Sequence, residues 1–281
     1  MRTFRRHGPR RMKLMEINPR RKYVFGEEMA HMTDMEKFAE MLKTHNRIVF
    51  FGGAGVSTES NIPDFRGKNG LYNQKTDLPW SPEEMLSHHF WAEHPVEFYT
   101  LYKEREGMMM SVEPNRAHYA LAELEQMGKL HAVVTQNIDG LHQKAGSKNV
   151  LELHGSVLRN ICLKCHKTYG MQEFLDLCNP IPHCPDCGGV VKPDVVLYEE
   201  SLDYNTITES IDEIQHADML IIGGTSLVVQ PAASFTHEFR GDALVLINMD
   251  ATPMDSRCDL VFRESVGAVL EEGLKRLKEM A

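Results

Sequence analysis

No stretch of this chain approaches the roughly 18 consecutive apolar residues that a membrane-spanning helix requires. The best candidate, Met219 to Val229, is interrupted by Gly223, Gly224, Thr225 and Ser226, so no bilayer segment is expected. A secretory leader is not expected either, because the N-terminus lacks a continuous apolar core. Internal repeats and low-complexity tracts are missing, which argues against a repeat array or a disordered chain. Cysteine is scarce, with six in 281 residues, too few to staple a chain of this length as a disulfide framework. An acidic residue about twenty positions after the glycine-rich turn described below is also lacking; a dehydrogenase normally clamps a ribose with one.

What is present is ordinary for a globular protein: 42% hydrophobic and 25% charged residues, with ample length for a buried core. Charge is unevenly spread. Residues 1–22 carry nine Arg or Lys against one Glu, and the remainder is strongly acidic because the whole chain sums to −9. The basic arm, taken as residues 1–32, reads as a disordered extension or as residues ahead of a later start at Met12, Met15, Met29 or Met32, with nucleic-acid contact, a targeting peptide or a nuclear signal as the alternatives. An acidic body is unsuited to gripping nucleic acid through its phosphates, so no nucleic-acid binding by the folded core is expected.

Four of the six cysteines fall into two C-x-x-C knuckles eighteen residues apart, Cys162 and Cys165 with Cys184 and Cys187. Two knuckles supply four thiolates, the closed tetrahedral set of a structural zinc site. A single C-x-x-C would suffice for redox work and would leave the second pair unexplained. A four-sulfur site has no open position for substrate, so this metal is expected to hold structure and to do no chemistry. The paired knuckles and the two spare cysteines, Cys178 and Cys258, fit a reducing interior and hence the cytoplasm.

Along the chain, Thr33-Asp34-Met35-Glu36 has the form of a capping box opening a helix. The apolar run Ile48 to Phe51 then ends in glycines. Residues 68–115, rich in Met, His and aromatics and punctuated by Pro79, Pro82, Pro95 and Pro114, read as an inserted helical module. A helix over Asn115 to Met127 follows, then apolar strands at His131–Thr135, Val150–Leu153, Met219–Ile222 and Leu244–Ile247, and a closing helix from about Val266 to Met280. Near-continuous apolar strands alternating with helices predict an α/β fold: a doubly wound, mostly parallel sheet covered on both faces. The cysteine segment, about 158–191, shows no helix–strand rhythm and is expected to protrude, forming a small domain with the helical module. The boundaries expected are 33–67, 116–157 and 192–281 for the large domain, with 68–115 and 158–191 for the small one.

Chemistry concentrates where strands end. Gly53-Ala54-Gly55-Val56-Ser57-Thr58 has a G-x-G core between a strand and a helix start, where backbone N–H groups can face a pyrophosphate. Ile62-Pro63-Asp64-Phe65-Arg66 brings an arginine suited to phosphate and a ring suited to a planar group. Thr135 to His142 (TQNIDGLH) closes another strand with amide and carboxyl side chains. Glu152-Leu153-His154-Gly155 places one histidine at the ligand-binding edge, as a candidate general base. Gly223-Gly224-Thr225-Ser226 and Asn248 end two further strands along the same edge. Each segment by itself could be an ordinary turn.

Together these segments resemble the sirtuin family of NAD-dependent protein lysine deacylases. GAGVS, IPDFR, TQNIDGLH, ELHGS, the four cysteines, KPDVVLYEE (192–200), GGTSLVVQPA (223–232) and INMD (247–250) occur in the family's order over about residues 30–281. The resemblance implies a Rossmann-like domain binding NAD, a small domain built from a zinc-ribbon module and a helical module, and zinc on Cys162, Cys165, Cys184 and Cys187. It implies cofactor contacts from Ala54, Thr58, Arg66, Gln136, Thr225, Ser226 and Asn248. Ile138 and Asp139 would hold the nicotinamide carboxamide, Phe65 would shield the pocket, and Asn137 would orient a ribose hydroxyl or water. An acylated protein or peptide would lie as an added strand between Val196 and Tyr198 on one side and Leu227 and Val229 on the other. The acyl oxygen would attack the ribose carbon and expel nicotinamide. Neutral His154 would deprotonate a ribose hydroxyl, and water would release lysine and O-acyl-ADP-ribose. Acid should silence such an enzyme below about pH 6.5.

Three residues depart from the family pattern: Asn61 in place of a usual glycine, Gly67 in place of serine, and Glu199 in place of another glycine. Members that prefer succinyl or malonyl lysine carry a Tyr-x-x-Arg pair in the helical module. The matching stretch here, Tyr99-Thr100-Leu101-Tyr102, lacks the arginine, which implies neutral acyl groups with acetyl first. Monomeric action is expected. The rival readings are an ADP-ribosyltransferase or NAD hydrolase on the same scaffold, a zinc-ribbon adaptor, and a dehydrogenase.

Overall fold

The computed structural model describes residues 29, 31–67, 70–73 and 78–280; all but three residues of the basic arm lie outside them. Thr33 caps the first helix as its sequence predicts. Its hydroxyl accepts from the Glu36 N–H at 3.3 Å while the Glu36 carboxylate takes the Thr33 N–H at 2.7 Å, so two otherwise orphaned donors are satisfied. This helix, α1 (Asp34–Thr44), leads into β1 (Ile48–Gly52).

The helical module follows as α2 (Pro82–Met85), α3 (His88–Glu93) and α4 (Pro95–Met109). Next come α5 (Arg116–Gln126), β2 (Leu130–Thr135), α6 (Leu141–Ala145) and β3 (Val150–Glu152). The cysteine-bearing segment holds β4 (Gly155–Cys162), β5 (Thr168–Tyr169), α7 (Met171–Leu177) and β6 (Val191–Val195). The remainder is α8 (Tyr204–His216), β7 (Met219–Gly223), α9 (Ala232–Phe235), β8 (Ala243–Ile247), β9 (Leu260–Phe262) and α10 (Val266–Glu279).

Six strands form one parallel sheet in the order β3-β2-β1-β7-β8-β9. Period-two alternation divides its residues between two cores. Ile48, Phe50, Met219, Ile221 and Val245 pack with α1, α5 and α10, whereas Val49, Phe51, Leu220, Ile222 and Leu246 pack on the opposite face with α8 and α9. Every residue of β1, β7 and β8 is therefore buried, which is why these strands read as unbroken apolar runs. The chain winds outward from β1 to β3 on one side and from β7 to β9 on the other. The carboxyl ends of β1 and β7 thus flank a topological switch point, the place where open α/β sheets bind ligands.

A third core joins the two inserted segments. Phe90, Phe98, Tyr99 and Tyr102 of the helical module pack with Tyr169, Phe174, Cys162, Cys184 and Val191 of the cysteine segment. That segment is more regular than its sequence implies, since β5, β4 and β6 form an antiparallel sheet and α7 packs against it. Its strands are too short and too partly buried to show a period. The expected boundaries at 157 and 192 also require correction: they fall inside β4 and β6, which pair from Gly155 with Val195 to Cys162 with Val191. The small sheet begins directly after His154.

Behind the ligand edge, His118 of α5 and His142 of α6 are fully buried with ring centroids 4.8 Å apart. His118 Nδ1 accepts from the Asn115 N–H at 3.2 Å, and among the described residues neither His142 nitrogen has a hydrogen-bond partner. Burial pulls the His118 pKa down to about 4 and that of His142 well below its ordinary value, with the neighbouring His118 adding to the latter. Folded pKa values below the unfolded one mean that the unfolded chain takes up protons first as pH falls. The stability these neutral rings permit is present above about pH 6.5 and is lost on acidification, with His118 alone accounting for roughly 3 kcal/mol by pH 4. Urea titrations at pH 7.5, 6.0 and 5.0 should show falling stability, and a flat profile would contradict this assignment.

Candidate active site

The turn after β1 is shaped by close backbone approach. Gly53 N–H donates to Gly223 O at 3.1 Å and Gly55 N–H to Gly224 O at 2.8 Å. A Cβ on Gly55 would lie 2.7 Å from the Gly224 Cα, so the two glycine turns that the sequence offers separately are one structure. Around them opens a cavity of about 940 Å³ at the carboxyl edge of the sheet. Ala54, Thr58, Phe65, Arg66, Gln136, Asn137, Ile138, Asp139, His154, Thr225, Ser226 and Asn248 all line it, although they come from points spread over almost 200 positions of sequence.

Inside the cavity, Asn137 Nδ2 donates to Ser57 Oγ at 3.0 Å, and the Ser57 hydroxyl donates to Asp139 Oδ2 at 2.7 Å. The Leu141 N–H binds the other Asp139 oxygen at 2.9 Å. Burial raises the Asp139 pKa, while Leu141 N–H and the Ser57 hydroxyl oppose the rise. Ser57, which residue-by-residue reading did not single out, joins Asn137 to Asp139 at the cavity wall; its signal was only its place in the GAGVS run. Ser57→Ala should strand two buried partners and destabilise the fold by about 1–3 kcal/mol, measurable by urea denaturation, together with weaker cofactor binding. Gln136 is fixed in its turn, with its Nε2 donating to Thr225 Oγ1 at 3.1 Å.

His154 follows β3. Its Nδ1 lies 2.9 Å from the Gln136 carbonyl, an acceptor only, so Nδ1 carries the proton and Nε2 keeps its lone pair. Burial lowers the His154 pKa and the Gln136 hydrogen bond works against that. The imidazole is therefore neutral, oriented and at the cavity wall. That is the condition of a general base.

The four cysteines fit zinc. Their sulfurs lie within 4.8 Å of one another, with Cys162–Cys187 at 3.5 Å and Cys165–Cys184 at 3.7 Å. A tetrahedron with 2.3 Å Zn–S bonds has edges of about 3.8 Å. The N–H groups of Cys165 and then Lys164 favour the Cys162 thiolate, and the Tyr169 hydroxyl donates to Cys184 Sγ at 3.0 Å.

Of the residues expected to meet a peptide, Val196, Tyr198 and Val229 line the cavity. Leu227 does not; its side chain is buried in the α8–α9 core, its backbone is left-handed at φ 56°, and its N–H donates to Thr225 Oγ1. Asn61 and Glu199 also sit at positive φ, 63° and 76°, which accounts for the glycines usual at those two positions. Glu199 is held there by the His89 N–H at 3.1 Å and His89 Nδ1 at 2.8 Å. The helical module differs from expectation as well. Tyr99 is turned inward, its hydroxyl donating to Val191 O and accepting from Trp91 Nε1. Tyr102 and Arg105, one turn along α4, line the cavity instead, so an arginine does reach the cleft.

This site sits in a chain whose residues 53–231 match the model of the Sir2 family. The chain belongs to the Sir2 family. A Clostridium perfringens NAD-dependent protein deacetylase is 57% identical over 237 residues, covering 84% of this chain and 96% of the relative. One from Clostridium tetani is 52% identical, covering 85% and 96%. Among solved structures, a Sir2 enzyme with deacetylated p53 peptide and 3'-O-acetyl ADP-ribose superposes at a TM-score of 0.80 with 36% identity, covering 87% of this chain and 98% of that one. A Sir2 homologue in complex with NAD superposes at 0.79 with 37% identity, covering 89% and 95%.

Proposed function

We propose that the chain is an NAD-dependent protein deacetylase that moves the acetyl group of an acetylated lysine onto ADP-ribose, releasing nicotinamide. The observation that carries this reading is His154, neutral and aimed by Gln136 O, at the wall of a cavity that also holds the glycine turns and the Ser57–Asn137–Asp139 chain. NAD supplies an electrophilic ribose carbon and nicotinamide as its leaving group. The glycine turn with Ala54 and Thr58, together with Arg66, suits the diphosphate. Gln136, Thr225, Ser226 and Asn248 suit ribose and adenine. Ile138 and Asp139 would hold the carboxamide, Phe65 would cover the nicotinamide pocket, and Asn137 would orient a hydroxyl or water. His154 Nε2, with its lone pair free, would serve as the base for a ribose hydroxyl.

The peptide runs between the 196–198 and 227–229 segments. Tyr198 serves through its side chain, because its N–H and C=O are already bonded to Leu86 O and His88 N at 3.0 Å each. Leu227 contributes main chain at most, since its side chain faces the core. Zinc is structural. Cytoplasmic residence and monomeric action belong to the same proposal; the six free cysteines suit a reducing compartment, and among the described residues no helix is long and apolar enough to cross a membrane.

Incubation with NAD and an acetyl-lysine peptide, read by mass spectrometry, should yield deacetylated peptide, nicotinamide and O-acetyl-ADP-ribose together. Nicotinamide release without loss of the acetyl group would instead favour an ADP-ribosyltransferase or NAD hydrolase.

A further inference from the structure

The loop carrying Phe65 and Arg66 is tied by its backbone to the single helical turn at Leu71–Asn73. Leu71 N–H donates to Asp64 O at 2.8 Å and Tyr72 N–H to Phe65 O at 2.9 Å, while the Asp64 carboxylate takes the Gly67 N–H at 2.8 Å. Beside this tie the Arg66 guanidinium lies 5.0 Å from the centre of the Tyr72 ring, and the Phe65 ring lies 5.5 Å from it. Tyr72 is thus the platform for both side chains that the loop presents to the cleft.

The platform is tied across the cleft. The hydroxyls of Tyr72 and Tyr198 are 2.7 Å apart, and Arg66 Nη2 donates to the Tyr198 hydroxyl at 3.4 Å. Tyr198 is itself a fixed post, because its main chain is bonded on both sides to the helical module, at Leu86 and His88. Burial first, and then the bond to Tyr198, raises the Tyr72 pKa, so the phenol stays neutral and available as a partner.

We infer that Tyr198 is a positioning residue for the cofactor loop: its hydroxyl, through Tyr72, holds Phe65 and Arg66 in place before the dinucleotide arrives. This rests on the reading of the cleft as an NAD site. The physical basis is preorganisation. Ordering loop residues on binding costs affinity, and a tie that already orders them removes part of that cost. One hydroxyl pair is enough to change a dissociation constant about threefold to tenfold.

The test is calorimetric titration of the full chain with ADP-ribose, for the wild type, Tyr198→Phe, Tyr72→Phe and the double variant. Each single variant should weaken binding about threefold to tenfold. The double variant should lose no more than the worse single one, because both remove the same bond. In steady state the rise in KM for NAD should exceed any fall in kcat. An unchanged or tighter ADP-ribose affinity in Tyr198→Phe would overturn the proposal, as would losses that multiply in the double variant. A wild-type chain that fails to bind ADP-ribose would remove the cofactor reading itself, and this inference with it.

Discussion

Replacing His154 by alanine should lower kcat by about 100-fold to 10,000-fold, the range spanned by a positioned general base. Thermal stability and NAD affinity should stay near those of the parent. The reasoning is local. His154 is held by one hydrogen bond from its ring to Gln136 O, and it is only partly buried, at the wall of the cavity. Its removal takes away a lone pair at the cavity wall and little packing. Only the neutral ring can accept a proton, and burial depresses the folded pKa. Activity should therefore hold above neutrality and fall as the pH drops through a value below 6.5. The measurement is kcat/KM against pH, with circular dichroism at each point to separate titration of His154 from the acid loss of fold predicted for His118 and His142. A His154→Ala enzyme retaining more than a tenth of wild-type kcat would place the base elsewhere.

Removing the metal should be as damaging by a different route. Cys162 and Cys184 are buried in the core that joins the cysteine segment to the helical module, so a metal-free site loosens both. Structural zinc in small zinc-folded peptides is worth roughly 10–16 kcal/mol at neutral pH. In this chain the loss would be felt where β4 and β6 meet, one residue beyond His154 and one before Val196. Cys162→Ala, or chelation, should lose bound zinc, abolish activity and expose the small core to proteolysis. Readdition of zinc should restore the chelated wild type. A metal-free enzyme with full activity would refute the structural role.

Much of this was legible in the sequence because it is encoded locally. The runs at Ile48, Met219 and Leu244 read as strands because both faces of each are buried, and Thr33 with Glu36 reads as a helix start because capping acts within one turn. The C-x-x-C pairs announce a metal because ligand spacing is itself sequence. The ordered motifs were enough to point to the family and to His154.

What the sequence could not place depends on approach between distant segments. Ser57 matters because β1 and β2 are neighbours, which brings it between Asn137 and Asp139. Leu227 has its side chain in the core and its backbone in the left-handed region, and Tyr102 and Arg105 rather than Tyr99 line the cleft because helix phase against a packed core decides which face looks into it. Tyr198 meets Tyr72 because the helical module bonds its main chain at Leu86 and His88. The sequence alone determined the central strands of the large sheet and named the candidate metal ligands and base. The tertiary structure decided which side chains share the cleft, since hydrogen bonds and packing between residues far apart in the chain leave no period or spacing to read.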